Sequence, residues 1–223
     1  MENKELSALQ EQLIREAEQF ARAELEHDQT GHDWWHIQRV VQMTKRLARA
    51  ENADEFICTV AALLHDVADE KLNVSKQAGQ DKVSAWLSEH DFKGADQEHI
   101  IEIISNLSYN AGKNPPMRTL EGQVVQDADR IDAIGAIAIA RAFLYAGVKG
   151  NPIHDPQISP RSEMTAEQYR QEKSTGINHF HEKLLKLNNL INTESAKQIA
   201  AERHSYMEQY VERFYREWSG EEE

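Results

Sequence analysis

Cysteine is nearly absent: the 223 residues contain one, Cys58, which excludes an internal disulfide framework and any zinc site built from several cysteines. Its neighbours Phe56, Ile57 and Val60 predict a small buried thiol. Basic residues are in deficit, 25 Lys and Arg against 38 Asp and Glu, for a net charge of -13. A duplex nucleic-acid binder needs a positive face to neutralise phosphates, so no such partner is expected. A small phosphorylated substrate stays open, because a metal ion and a few local cations can reverse the field inside a pocket. Long apolar runs are also missing. The longest, Ala133 to Ala140, is closed by Asp132 and Arg141 and falls short of the roughly 20 residues of a membrane helix. Met1-Glu2-Asn3-Lys4-Glu5 has neither the basic region nor the apolar stretch of a secretory signal. A soluble, cytoplasmic protein with no membrane partner is therefore expected. Persistent strand alternation, internal repeats and low-complexity segments are absent too, and the fold class expected is all-α.

What is present is helical periodicity around enough apolar sequence for one sizeable core, 40% of the chain. We expect one domain over residues 1–223, with a core at about 25–140 and C-terminal helices at about 165–218 completing the pocket. Leu6, Leu9, Leu13, Ala17, Phe20 and Ala23 trace one face of a helix over 5–26. A second runs from Asp33 to Glu51 with Val40, Met43 and Leu47 inward. Four residues back from Val40 lies His36, which therefore faces the core, whereas His32 precedes the helix. A third, 53–69, buries Ile57, Val60, Ala61, Leu64 and Ala68, with His65 on the same stripe. Residues 71–79 read as a loop, then shorter helices follow at 80–90 and 95–107. Asn110 to Pro116 reads as a turn, and a long helix spans 120–146. The stretch after Gly147 holds three of the five prolines and reads as a loop or lid. Thr165-Ala166-Glu167-Gln168 has capping-box spacing and opens a helix over 165–191, and a last helix covers 193–218.

His-Asp occurs five times, at 27-28, 32-33, 65-66, 90-91 and 154-155. Only His65-Asp66 closes an apolar helical run, Ala61-Ala62-Leu63-Leu64. Burying those two side chains costs roughly several kcal/mol unless something pairs with them, and a metal ion is the natural partner. A further ligand candidate lies in Gln126-Asp127-Ala128-Asp129-Arg130-Ile131-Asp132. Asp129 and Asp132 share a face, where like charges repel unless a cation sits nearby. Val125 and Ala136 on the Asp129 face imply burial, and Asp127 points elsewhere. Two imidazoles and two carboxylates, His36, His65, Asp66 and Asp129, suit Mn²⁺, with Fe, Co, Ni, Zn or Mg as other choices for one divalent ion.

His36, then His65-Asp66, then Asp129 resembles the H…HD…D signature of the HD-domain metal-dependent phosphohydrolase superfamily. Beyond that core, residues 175–186, Thr-Gly-Ile-Asn-His-Phe-His-Glu-Lys-Leu-Leu-Lys, are similar to a subgroup of small stand-alone bacterial proteins. That subgroup includes manganese-dependent nucleotide pyrophosphohydrolase activity. The resemblance implies a helical fold, metal at those four residues and hydrolysis of a nucleotide or related phosphate ester. It also implies a general acid/base at Asp69, with Asp66 in the catalytic centre and Glu70 the weaker competitor.

Phosphate-binding cations are sought at Arg39, Lys71 and Lys183, and Asp132 and His179 are further substrate-binding candidates. Trp34 and Trp35 are expected to pack, with base stacking open to one of them. A second metal would need histidines between Asp66 and Asp129. Only His90 and His99 stand there, both read as surface or packing residues, so one metal is expected and a di-iron oxygenase is disfavoured. A nucleotide-binding regulatory module without turnover is the remaining alternative. Oligomeric state is not legible.

Overall fold

The computed structural model describes residues 6–28, 31–69, 72–92, 94–107, 109, 114–161, 165 and 173–221. Among these the chain is helical and no residue lies in a strand, in line with the all-α expectation. The fold divides into two compact units, residues 1–109 with 114–128, and residues 110–113 with 129–223. No single helix among the described residues is long and apolar enough to cross a membrane.

The first unit begins with α1, Ala8–Leu25, opened by a capping box in which Ser7 and Gln10 satisfy each other's backbone amides. Helix α2, Trp34–Glu51, starts where the Asp33 carboxylate accepts from the His36 amide at 2.9 Å. It stops at Asn52, which takes the left-handed conformation at φ 59°. Helix α3, Glu55–Leu64, is capped by Asp54, which accepts from the Phe56 and Ile57 amides. Every α3 residue from Phe56 to Leu64 is buried, and α1, α2 and α5 (Gly94–Leu107) pack around it. It is therefore the central helix of this unit, as its unbroken apolar run requires.

Helix α3 is shorter than the predicted 53–69. It ends at Leu64, and His65 to Ala68 form the turn that follows. Asn73 closes that turn, its side-chain amide donating to the Val67 and Asp69 carbonyls at 2.9 and 2.8 Å. Helix α4, Lys76–Glu89, begins earlier than predicted because Ser75 caps it. Its Gly79 lies against the turn so closely that a Cβ would stand 2.3 Å from the Ala68 carbonyl oxygen.

The predicted 120–146 helix is two helices, α6 (Leu120–Asp132) and α7 (Ala136–Val148). Between them Gly135 adopts φ +90°, which no helix interior allows, and a Cβ there would stand 3.1 Å from the Arg203 side chain. Arg203 also donates to the Ile131 carbonyl at 2.6 Å, satisfying an acceptor that the end of α6 leaves open. Ala136 thus starts a new helix and is exposed, so its phase says nothing about Asp129.

The second unit also differs from the predicted 165–191 helix. The residues that would open it, 166–172, lie outside the described ones. Beyond them come a short α8, Asn178–Glu182, and a 3-10 stretch, Leu184–Leu190. Helix α9, Glu194–Ser219, then packs on that stretch and on α7. Glu182 is buried and receives both arms of the Arg161 guanidinium, at 2.9 and 2.7 Å, together with the Ser174 hydroxyl.

Candidate metal centre

The centre of interest in the first unit is the turn that follows α3, facing the first turns of α2. The apolar run of α3 carries His65 and Asp66 into the interior, where they are 7% and 4% exposed, and the cap at Asp33 starts α2 so that His36 points inward at 1%. The Asp66 carboxylate lies where these histidines converge. Its Oδ2 is 3.3 Å from His36 Nε2 and 2.9 Å from His32 Nδ1, and its Oδ1 is 3.4 Å from His65 Nε2. The rings of His32 and His36, and of His36 and His65, meet edge to face at 5.5 Å.

The proton on His65 is fixed by its other nitrogen. Nδ1 lies 2.8 Å from the Ala62 carbonyl, which can only accept, so Nδ1 carries the hydrogen. In the neutral ring Nε2 then presents a lone pair toward a carboxylate oxygen in buried surroundings. Two acceptors facing each other are favourable only with a proton or a cation shared between them. Burial alone would raise the Asp66 carboxyl, but the neighbouring charges of His65 and His32, with hydrogen bonds from His32 and His36, hold it well below the usual carboxylate range. Asp66 is thus ionised, the form in which a carboxylate ligates metal. One ligand atom each from His32, His36 and Asp66 fall within 4.8 Å of one another. Imidazole nitrogen with carboxylate oxygen is a donor set for a divalent transition ion, and these residues could hold one.

Of the other residues singled out in the sequence, Asp69 closes the same turn, its amide donating to the Asp66 carbonyl at 3.0 Å. Arg39 is half-buried on α2, one turn beyond His36. Lys71 and Glu70 lie outside the described residues. Asp129 is half-buried on α6, directly after Ala128, the residue at which the first unit ends. In the second unit the buried Asp132 pairs with Arg141 at 2.6 Å, and His179 and Lys183 are half-buried at the two ends of α8. Trp34 is buried, as packing requires, but Trp35 is 61% exposed. His90 stacks on Trp86 with ring centroids 4.1 Å apart, and His99 meets the Thr119 hydroxyl at 2.9 Å, so both serve packing.

Two residues escaped the sequence reading. His32 sits before α2, where helical phase is silent, but its spacing of four from His36 was the available signal. Asp127, read as pointing away from the Asp129–Asp132 face, is wholly buried.

A family model described as HD domain matches residues 34–134, the stretch from the start of α2 to the end of α6 and just beyond. YpgQ of Bacillus subtilis, described as an uncharacterized protein, is 34% identical over 93% of this chain and 96% of its own length. The chain belongs to the HD domain family.

Solved structures with the same fold agree with this. One from Lactobacillus plantarum is 41% identical and superposes with a TM-score of 0.86 over 97% of this chain and all of that one. An HD-superfamily hydrolase from Bacillus thuringiensis is 45% identical, with a TM-score of 0.74 over 94% and 98%. A crystal structure of YpgQ in complex with ADP is 33% identical, with a TM-score of 0.73 over 92% and 97%. Within the HD-superfamily hydrolase fold, the histidines and the aspartate around the α3 turn form a donor set that could hold a divalent metal.

Proposed function

We propose that this HD protein is a phosphohydrolase dependent on one divalent metal ion, acting on a nucleotide or related phosphate ester. The observation that carries the reading is the buried approach of His36 and His65 Nε2 to the two oxygens of the ionised Asp66. His36, His65 and Asp66 are three of the ligands, and Asp129 is the fourth. Manganese is the first choice, and Fe, Co, Ni, Zn or Mg suit the same donors. A divalent ion there supplies Lewis acidity toward a phosphoryl oxygen and lowers the pKa of bound water.

The chain's own residues then divide the remaining work. Asp69, in the turn beside Asp66, moves the proton between water and leaving group as general acid/base. Arg39, Lys71 and Lys183 hold phosphate oxygens, while His179 and Asp132 line the substrate. That the relative YpgQ was crystallised with ADP supports a nucleotide as the substrate class.

For a nucleoside triphosphate, attack of water at the α-phosphorus breaks its bond to the bridging oxygen and gives monophosphate and pyrophosphate. For a monophosphate it gives nucleoside and phosphate. A nucleotide panel incubated with Mn²⁺ and resolved by chromatography separates the two outcomes. The triphosphate route predicts pyrophosphate as a product, and no release from any phosphorylated compound would defeat the proposal. Tight nucleotide binding without turnover across metals would indicate the regulatory module instead.

A further inference from the structure

His32 is absent from the four-residue signature, yet of the three histidines around Asp66 it makes the shortest contact, 2.9 Å from Nδ1 to Oδ2. A carboxylate only accepts, so the His32 Nδ1–H donates. The ring is fixed before α2 begins. The His32 amide donates to the Asp28 carboxylate at 3.0 Å, the next residue caps the helix, and the ring stands edge-on to His36.

We infer that His32 is a positioning residue for the metal site. It holds Asp66 Oδ2 and thereby fixes the rotation of the carboxylate, so that Oδ1 is presented beside His65 Nε2 and Oδ2 beside His36 Nε2. Without this donor the carboxylate can turn about its final bond, and the three donors no longer converge. The inference rests on the metal reading above and adds to it a partner outside the ligand set. Losing an outer partner of this kind typically weakens metal binding by about 10–100-fold.

The test is isothermal titration of Mn²⁺ into chelator-stripped full-length protein and its variants, each checked for folding by circular dichroism. His32→Leu removes the donor and is expected to weaken Mn²⁺ binding by about 10–100-fold in protein that still folds. His32→Asn keeps an N–H close to the Nδ1 position and is expected to restore binding to near wild type. If His32→Leu does not fold, His32→Gln, which moves the donor one bond further out, takes its place as the loss variant.

Unchanged affinity in the loss variant overturns the inference while leaving the metal reading intact. An Asn variant as weak as the loss variant also overturns it. Wild-type protein that binds neither Mn²⁺ nor another divalent ion overturns the metal reading itself, and this inference with it.

Discussion

At the scale of single residues, chemistry is set by what each side chain meets after folding. Asp66 is ionised because three histidines surround it, and Cys58 is inert because burial raises its thiol far above the ordinary range. Asp69 is the residue whose role separates binding from catalysis. Asp69→Asn should keep the metal but lower turnover by about 10²–10⁴-fold, the usual weight of a general acid or base, as read from nucleotide hydrolysis at saturating Mn²⁺. Full turnover would remove Asp69 from the mechanism. The ligands His36, His65 and Asp66 were legible because charge interrupts an apolar stripe and helical phase tells in from out. His32 was not, since phase has no meaning before a helix starts, and its hydrogen bond spans 34 residues of sequence.

At the scale of elements, caps and glycines place the site. Asp54 starts α3, and Asp54→Ala should lower stability by about 1 kcal/mol, measured by urea denaturation. Gly79 allows α4 to press on the turn that carries His65, Asp66 and Asp69. Gly79→Ala would put a methyl group 2.3 Å from a backbone carbonyl that cannot rotate away, so it should cost about 2–3 kcal/mol despite the better helix propensity of alanine. A stabilised Gly79→Ala protein would show that the turn has room to yield. Helix existence was readable from apolar spacing for α1, α2, α3 and α5. Helix ends were less so. The turn at His65 keeps helical geometry, φ -62° and ψ -44°, so no residue in the sequence signals that α3 has stopped. The break at Gly135 depends on Arg203, a contact 68 positions away that periodicity cannot register. Likewise the capping-box spacing at Thr165 is a local signal, and the segments after it answer to packing as well.

At the scale of the whole molecule, a chain of net charge -13 meets acid through its carboxylates. Glu182 is the informative one in the second unit. Burial pushes its carboxyl up, but hydrogen bonds and charge from Arg161 outweigh this and lower it below the ordinary value. A carboxyl depressed in the folded state stabilises above the unfolded value of about 4.3 and loses that contribution as pH falls toward the folded value. Thermal melts should therefore hold steady from about pH 7 to 5 and decline below about 4.5. Glu182→Gln should cost about 3 kcal/mol near neutrality, since it strands Arg161, and should flatten part of the acid decline. An unchanged acid profile would mean that other carboxylates govern it.

Family membership and the all-α class follow from patterns spread along the chain, which is why they could be read early. Substrate choice depends on side chains brought together only by folding, and sequence spacing does not encode it. The most direct test of the central claim is the metal content of protein loaded with Mn²⁺ and dialysed, measured by elemental analysis for wild type and for Asp66→Ala. One ion per chain in the wild type and none in the variant is the predicted result. An Asp66→Ala protein that keeps a full equivalent of metal would contradict it.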